Sequence, residues 1–182
     1  MRRLCATVAM VLSAALLTSC DTDNQLAPSL PRVLALQVDG GQLRILTGTP
    51  CIGVDRVVVT FAGGPEEPVP RAQLRADPAV TVDRLAVGAE VTASGFAVTE
   101  ALPAGFDWRD YSQVEMGFDG PRGSVGVGSA PLDPVKEKGA SRAGDGTAYV
   151  RDEGWLTPDQ IVEGNETSFL TPCTPDPAGG AA

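Results

Sequence analysis

Apolar residues fall along this chain in two patterns. Residues 4–17 form one uncharged apolar run of 14 residues, with Arg2 and Arg3 before it and Leu17-Thr18-Ser19-Cys20 at its end. Beyond it the chain breaks into short segments with apolar side chains at every second position, the spacing that places them on one face of a β-strand. Leu34, Leu36 and Val38 alternate in this way, and Leu43 and Ile45 resume the alternation after Asp39-Gly40-Gly41. Two glycines between alternating runs predict a tight hairpin, because glycine takes positive φ without steric cost.

After Pro50-Cys51, a β-branched run predicts a strand with Val57, Val59 and Phe61 inward. Residues 63–70 hold glycines, glutamates and prolines and predict a loop. Residues 80–87 predict a further strand. In residues 85–99, Val91 and Ala93 have one parity while Phe96 and Val98 have the other, so Gly95 between them predicts a β-bulge. Val114, Met116 and Phe118 define an inward face, and Val125 and Val127 alternate with Gly and Ser in the next segment. Residues 131–146 are polar and long enough to be a functional or a disordered loop. Residues 147–151 predict a short strand. Thr157, Pro158, Gln160 and Gly164 fit the cap, first turn, capping box and end of a short helix. Residues 168–171 predict a last strand that carries Cys173 into place. Seven to nine short strands with one short helix near the C-terminus predict a mainly β chain, a small antiparallel β-sandwich, with a β-barrel as the alternative.

The N-terminal run is a different kind of segment. It is shorter than the ~20 residues a helix needs to span a bilayer. Positive charge before it and small residues after it predict a signal peptide that is removed. The order of arginines, apolar run and Leu17-Thr18-Ser19-Cys20 resembles the precursor of a bacterial lipoprotein, with the last four residues as the lipobox. The resemblance covers residues 1–20. It implies that the Cys20 thiol takes a diacylglyceryl group and becomes the mature N-terminus. Two or more lipid chains, at ~0.8 kcal/mol per buried CH₂, give stable anchoring. The expected organisation is a signal peptide over residues 1–19, a lipidated cysteine and tether over 20–32, a β-sandwich over 33–173 and a disordered tail over 174–182. The expected address is the extracytoplasmic face of the cell membrane.

Charge then narrows the partners. The chain has 14 basic and 23 acidic residues, and only Arg2 and Arg3 precede position 20, so 12 against 23 leaves −11 on the mature chain. Such a surface repels nucleic acid, whose backbone needs clustered Lys and Arg. The membrane contact is through the lipid anchor, and a protein or glycan of the envelope is the expected partner. Arginine outnumbers lysine among abundant Ala, Gly, Val and Pro, a composition that resembles proteins of high-GC bacteria such as actinobacteria.

Histidine is absent, which removes Ser-His-Asp and Cys-His catalysis and histidine zinc sites. With Cys5 in the signal and Cys20 lipidated, Cys51 and Cys173 remain, and outside the membrane two leftover thiols predict a disulfide. No cofactor or metal is expected. Asp21-Thr22-Asp23-Asn24 lacks the rest of a calcium loop. Phe106, Trp108 and Tyr111 lie among charges, so they are either a binding patch or a plug at one end of the sandwich. Asp107, Asp110, Glu115 and Asp119 are abundant carboxylates; two of them ~5–9 Å apart in a cleft would suit glycoside hydrolysis. Asn165-Glu166-Thr167 matches a glycosylation sequon. The expected function is a non-enzymatic binding or structural role, with a carboxylate-dependent glycan hydrolase as the alternative.

Overall fold

The computed structural model describes residues 29–177. The expected signal peptide, Cys20, most of the expected tether and the end of the expected tail lie outside the described residues.

The chain is mainly β. Among the described residues, nine strands form one open antiparallel sheet: β1 (Ala35–Asp39), β2 (Gln42–Ala62), β3 (Arg71–Val87), β4 (Val91–Thr92), β5 (Ala97–Glu100), β6 (Gln113–Gly120), β7 (Gly123–Pro131), β8 (Ala148–Val150) and β9 (Gly154–Leu156). Two helices accompany them, α1 (Asp133–Lys138) and α2 (Pro158–Gly164). The first hairpin forms as expected. Asp39 pairs with Gln42 across Gly40 and Gly41, which both have positive φ.

Strand β2 organises the rest. Its first half pairs with β1 and with the end of β3; its second half pairs with β6 and with the start of β3. The pairing with β3 shifts register at Leu46/Cys51, Cys51/Val54 and Val54/Arg56. A shift by one residue turns a strand's faces over. These irregularities therefore let Leu43, Ile45, Cys51, Val54, Val57, Val59 and Phe61 all reach the core, although their parity changes twice. The two halves of the sheet share one core, to which β1, β2, β3, β6 and α1 all contribute.

Strand β1 is buried on both faces. Leu34, Leu36 and Val38 enter the main core, while Val33 and Ala35 join a second cluster with Ala148, Val150, Ile161 and Phe169. Helix α2 supplies Ile161 to this cluster. Its capping box forms as the sequence predicts, with the Gln160 amide donating to Thr157 Oγ1 and the Thr157 amide donating to Gln160 Oε1.

Several segments differ from the sequence-based expectation. Residues 131–146 are a short helix and a 3-10 turn (Ala140–Arg142), with Val135 buried in the core. Strand β3 begins at Arg71, earlier than its composition predicts. Gly95 lies in a turn between two separate strands, β4 and β5, and makes no bulge in one strand. Residues 168–171 form isolated bridges, Arg32 with Leu170 and Asn165 with Phe169. Thr174 is buried and bonded, so the packed body runs past Cys173 into the expected tail.

Candidate functional site

The expected disulfide forms. Cys51 and Cys173 are joined with 5.3 Å between their Cα atoms. Cys51 reaches the core from the irregular middle of β2, while Cys173 arrives on a segment laid across β7. The Val127 amide donates to the Pro172 carbonyl at 3.3 Å. Arg32 donates to the carbonyls of Pro172 and Thr174 at 3.0 and 2.8 Å. The close approach needs glycine on β7: a Cβ on Gly126 would lie 2.2 Å from the Pro172 oxygen. The Thr171 hydroxyl bonds Thr49 and Thr174, and the Thr171 amide donates to Asn165 Oδ1 at 2.9 Å. The bridge is thus the covalent part of a clasp joining the two ends of the domain.

Asn165 is consumed by this clasp. Its Nδ2 also donates to Thr174 Oγ1 at 3.0 Å, so the sequon side chain is spent on structure.

Phe106, Trp108 and Tyr111 are brought together in the core. Trp108 is 3 % and Tyr111 2 % exposed. Phe106 lies 4.7 Å from Phe61 and stacks on Tyr111 at 5.2 Å between centroids. Burial together with the Glu66 carboxylate, which accepts from the phenol at 3.0 Å, pushes the Tyr111 pKa up to about 12. The polar members of the same segment stay outside. Asp107 caps a 3-10 turn (Trp108–Asp110), accepting from the Arg109 amide at 3.0 Å. The three rings belong to the main core, and Phe106 and Trp108 also border a surface depression.

Three of the four carboxylates singled out in sequence are engaged locally. Asp107 pairs with Arg109 at 3.1 Å, Asp119 accepts from Arg56 Nε at 2.8 Å and Glu115 accepts from Gln113 at 3.2 Å. Among the described residues, no group of three or more His, Cys, Asp or Glu side chains is placed to hold a metal ion. None of their helices is long and apolar enough to cross a membrane.

The surface holds several depressions. One, about 750 Å³, is open and lined by Asp55, Arg75, Asp77, Phe96 and Pro121. Another, about 620 Å³, lies against Trp108, whose buried indole N–H has no acceptor. A third, about 260 Å³, is lined by Arg44, Arg84, Arg142 and Trp155. It shares Gln37, Leu46, Arg84 and Gly146 with an adjoining apolar pocket of about 270 Å³. No linear motif marks this third site, because its residues come from β2, β3, the 3-10 turn after α1, and β9.

Comparison with protein-family models, curated proteins and solved structures gives no match.

Proposed function

We propose that the chain is a lipid-anchored protein of the extracytoplasmic face of a cell membrane, whose β domain has a non-enzymatic binding or structural role. The Cys51–Cys173 disulfide is the observation that carries this reading. Disulfides persist in oxidising compartments and are rare where glutathione and thioredoxin keep thiols reduced. The order of residues 1–20, which resembles a lipoprotein precursor, supplies the anchor in the same reading. The test is incorporation of labelled palmitate into the full chain beside a Cys20→Ala version, with membrane fractionation of both. Label and membrane association are expected for the first and lost in the second. Equal fractionation of the two would remove the anchor from the proposal.

A second reading, a carboxylate-dependent cell-wall or glycan hydrolase, has one observation behind it: Asp55 and Asp77 both line the open depression of about 750 Å³. Release of reducing ends from cell-wall glycan, lost in both Asp55→Asn and Asp77→Asn, would favour it over a binding role.

A further inference from the structure

The pocket at Arg44, Arg84 and Arg142 runs against the charge of the whole molecule. The chain carries 23 acidic residues against 14 basic ones. Yet this pocket is lined by three guanidiniums and a single carboxylate, Asp39. The strand register explains two of the three. Arg44 pairs with Ala86 and Leu46 with Arg84, so the arginines stand on one face of neighbouring strands. Arg142 comes from the 3-10 turn after α1, its guanidinium 5.1 Å from the centroid of the Trp155 ring.

The groups already beside these arginines leave room for a better anion. Asp39 lies 2.6 Å from Arg44. Asp83 meets Arg84 at 3.1 Å and Asp145 meets Arg142 at 3.4 Å, both pairs solvent-exposed. Exposed pairs of this kind hold weakly. An oxyanion that takes two parallel N–H bonds from a guanidinium holds more strongly and can replace them. The Arg44 Nε–H is buried without an acceptor, a donor that the domain's own groups leave unused. The adjoining pocket, against Pro50, Ala148, Pro158 and Ile161, is mostly apolar. Each of the two is below the ~300 Å³ lower end of drug-sized sites, which suits a charged head in one and a single ring in the other.

We propose that this double pocket binds a small organic oxyanion, a phosphate monoester or a carboxylate. Arg44, Arg84 and Arg142 hold the charged group, and the uncharged body lies beside Pro50 and Ile161. This gives a ligand class to the binding role proposed above and rests on that reading. The test titrates phenyl phosphate, benzoate, inorganic phosphate and benzyl alcohol into the full chain in nonionic detergent, followed by calorimetry and tryptophan fluorescence. Phenyl phosphate or benzoate is expected to bind about tenfold or more tightly than inorganic phosphate or benzyl alcohol, and to change Trp155 emission. Which of the two binds decides between phosphate and carboxylate. Arg84→Gln is expected to weaken binding about tenfold or more, the loss of one charge-assisted contact. Arg122→Gln, at an exposed arginine outside the pocket, is expected to leave it unchanged. No saturable binding of either organic anion, or equal weakening by the two substitutions, would overturn the proposal. Cys20→Ala separates this from the anchor: it abolishes palmitate labelling and leaves the titration intact.

Discussion

Reduction of Cys51–Cys173 is the most informative perturbation of this fold. The bridge spans 122 residues of chain. In the chain-entropy treatment, a closed loop of that length restricts the unfolded ensemble by roughly 5 kcal/mol at room temperature. The native state changes little on reduction, because the clasp also holds without the bond. Arg32 still donates to Pro172 and Thr174, and Asn165 still receives the Thr171 amide. The loss therefore falls on the unfolded side, where the freed chain gains conformations. For a domain of this size, 1 kcal/mol moves Tm by about 2–4 °C, so reduction is expected to lower Tm by about 10–20 °C with the native circular dichroism retained. Thermal melts with and without a phosphine reductant measure this directly, and a Cys51→Ala/Cys173→Ala chain supplies the constitutively open form. A fully reduced protein whose Tm moves by less than about 3 °C would refute the entropic argument.

Gly126→Ala is expected to destabilise by roughly 1–3 kcal/mol, since the added methyl meets the Pro172 carbonyl of a segment that the disulfide fixes. Gly117→Ala, with open space at that position, is expected to change stability by less than about 0.5 kcal/mol in the same denaturant titration. Tyr111 is expected to ionise only near pH 12 in the folded protein, because burial and then Glu66 favour the neutral phenol. Its contribution to stability is whole below the usual tyrosine value near 10 and drains away as pH rises through about 12. Phenolate absorbance of the native protein already developing at both tyrosines near pH 10, or a midpoint unmoved by Glu66→Gln, would contradict this.

What the sequence made legible follows from how each segment is buried. Strands with one apolar face announced themselves: Leu34, Leu36 and Val38, then Leu43 and Ile45, then Val114, Met116 and Phe118 all reach the core as their alternation predicts. Strand β3 hid its first half because its inward positions include Ala72, between Arg71 and Gln73, and Ala76, between Arg75 and Asp77, both small side chains among polar ones. Pairing with β2 fixes that segment, and pairing leaves no mark on local composition. Helix α1 buries one apolar side chain, Val135, which is too few to set a period. Strand β7 inverts the usual signal. Its valines alternate, yet Val127 is 53 % exposed and it is Gly126 and Gly128 that face the clasp. The aromatic segment left two readings open in sequence, and Phe106 and Tyr111 pack against Phe61 in the core.

The clasp and the double pocket are parts of one device. Gly48, Thr49 and Pro50 line the apolar half of the pocket and lead directly into Cys51. Thr49 Oγ1 bonds Thr171 Oγ1, and Gly48 lies so close to Thr171 and Ile161 that a Cβ there would approach their methyls to 2.8 and 2.9 Å. Ile161 of α2 lines the same pocket and also belongs to the second apolar cluster. Whatever fixes Cys173 therefore fixes Thr171, and Thr171 in turn fixes the wall formed by Gly48 and Ile161. The charged half is held differently: Arg44 pairs with Asp39, Arg142 lies over the Trp155 ring and pairs with Asp145, and Arg84 is exposed beside Asp83. The apolar half of the proposed ligand site thus borders the disulfide-linked clasp, while its charged half rests on ion pairs and the Trp155 ring. Side chains that must order on binding give up rotamer freedom, so contacts that already hold both halves lower that cost for the proposed ligand.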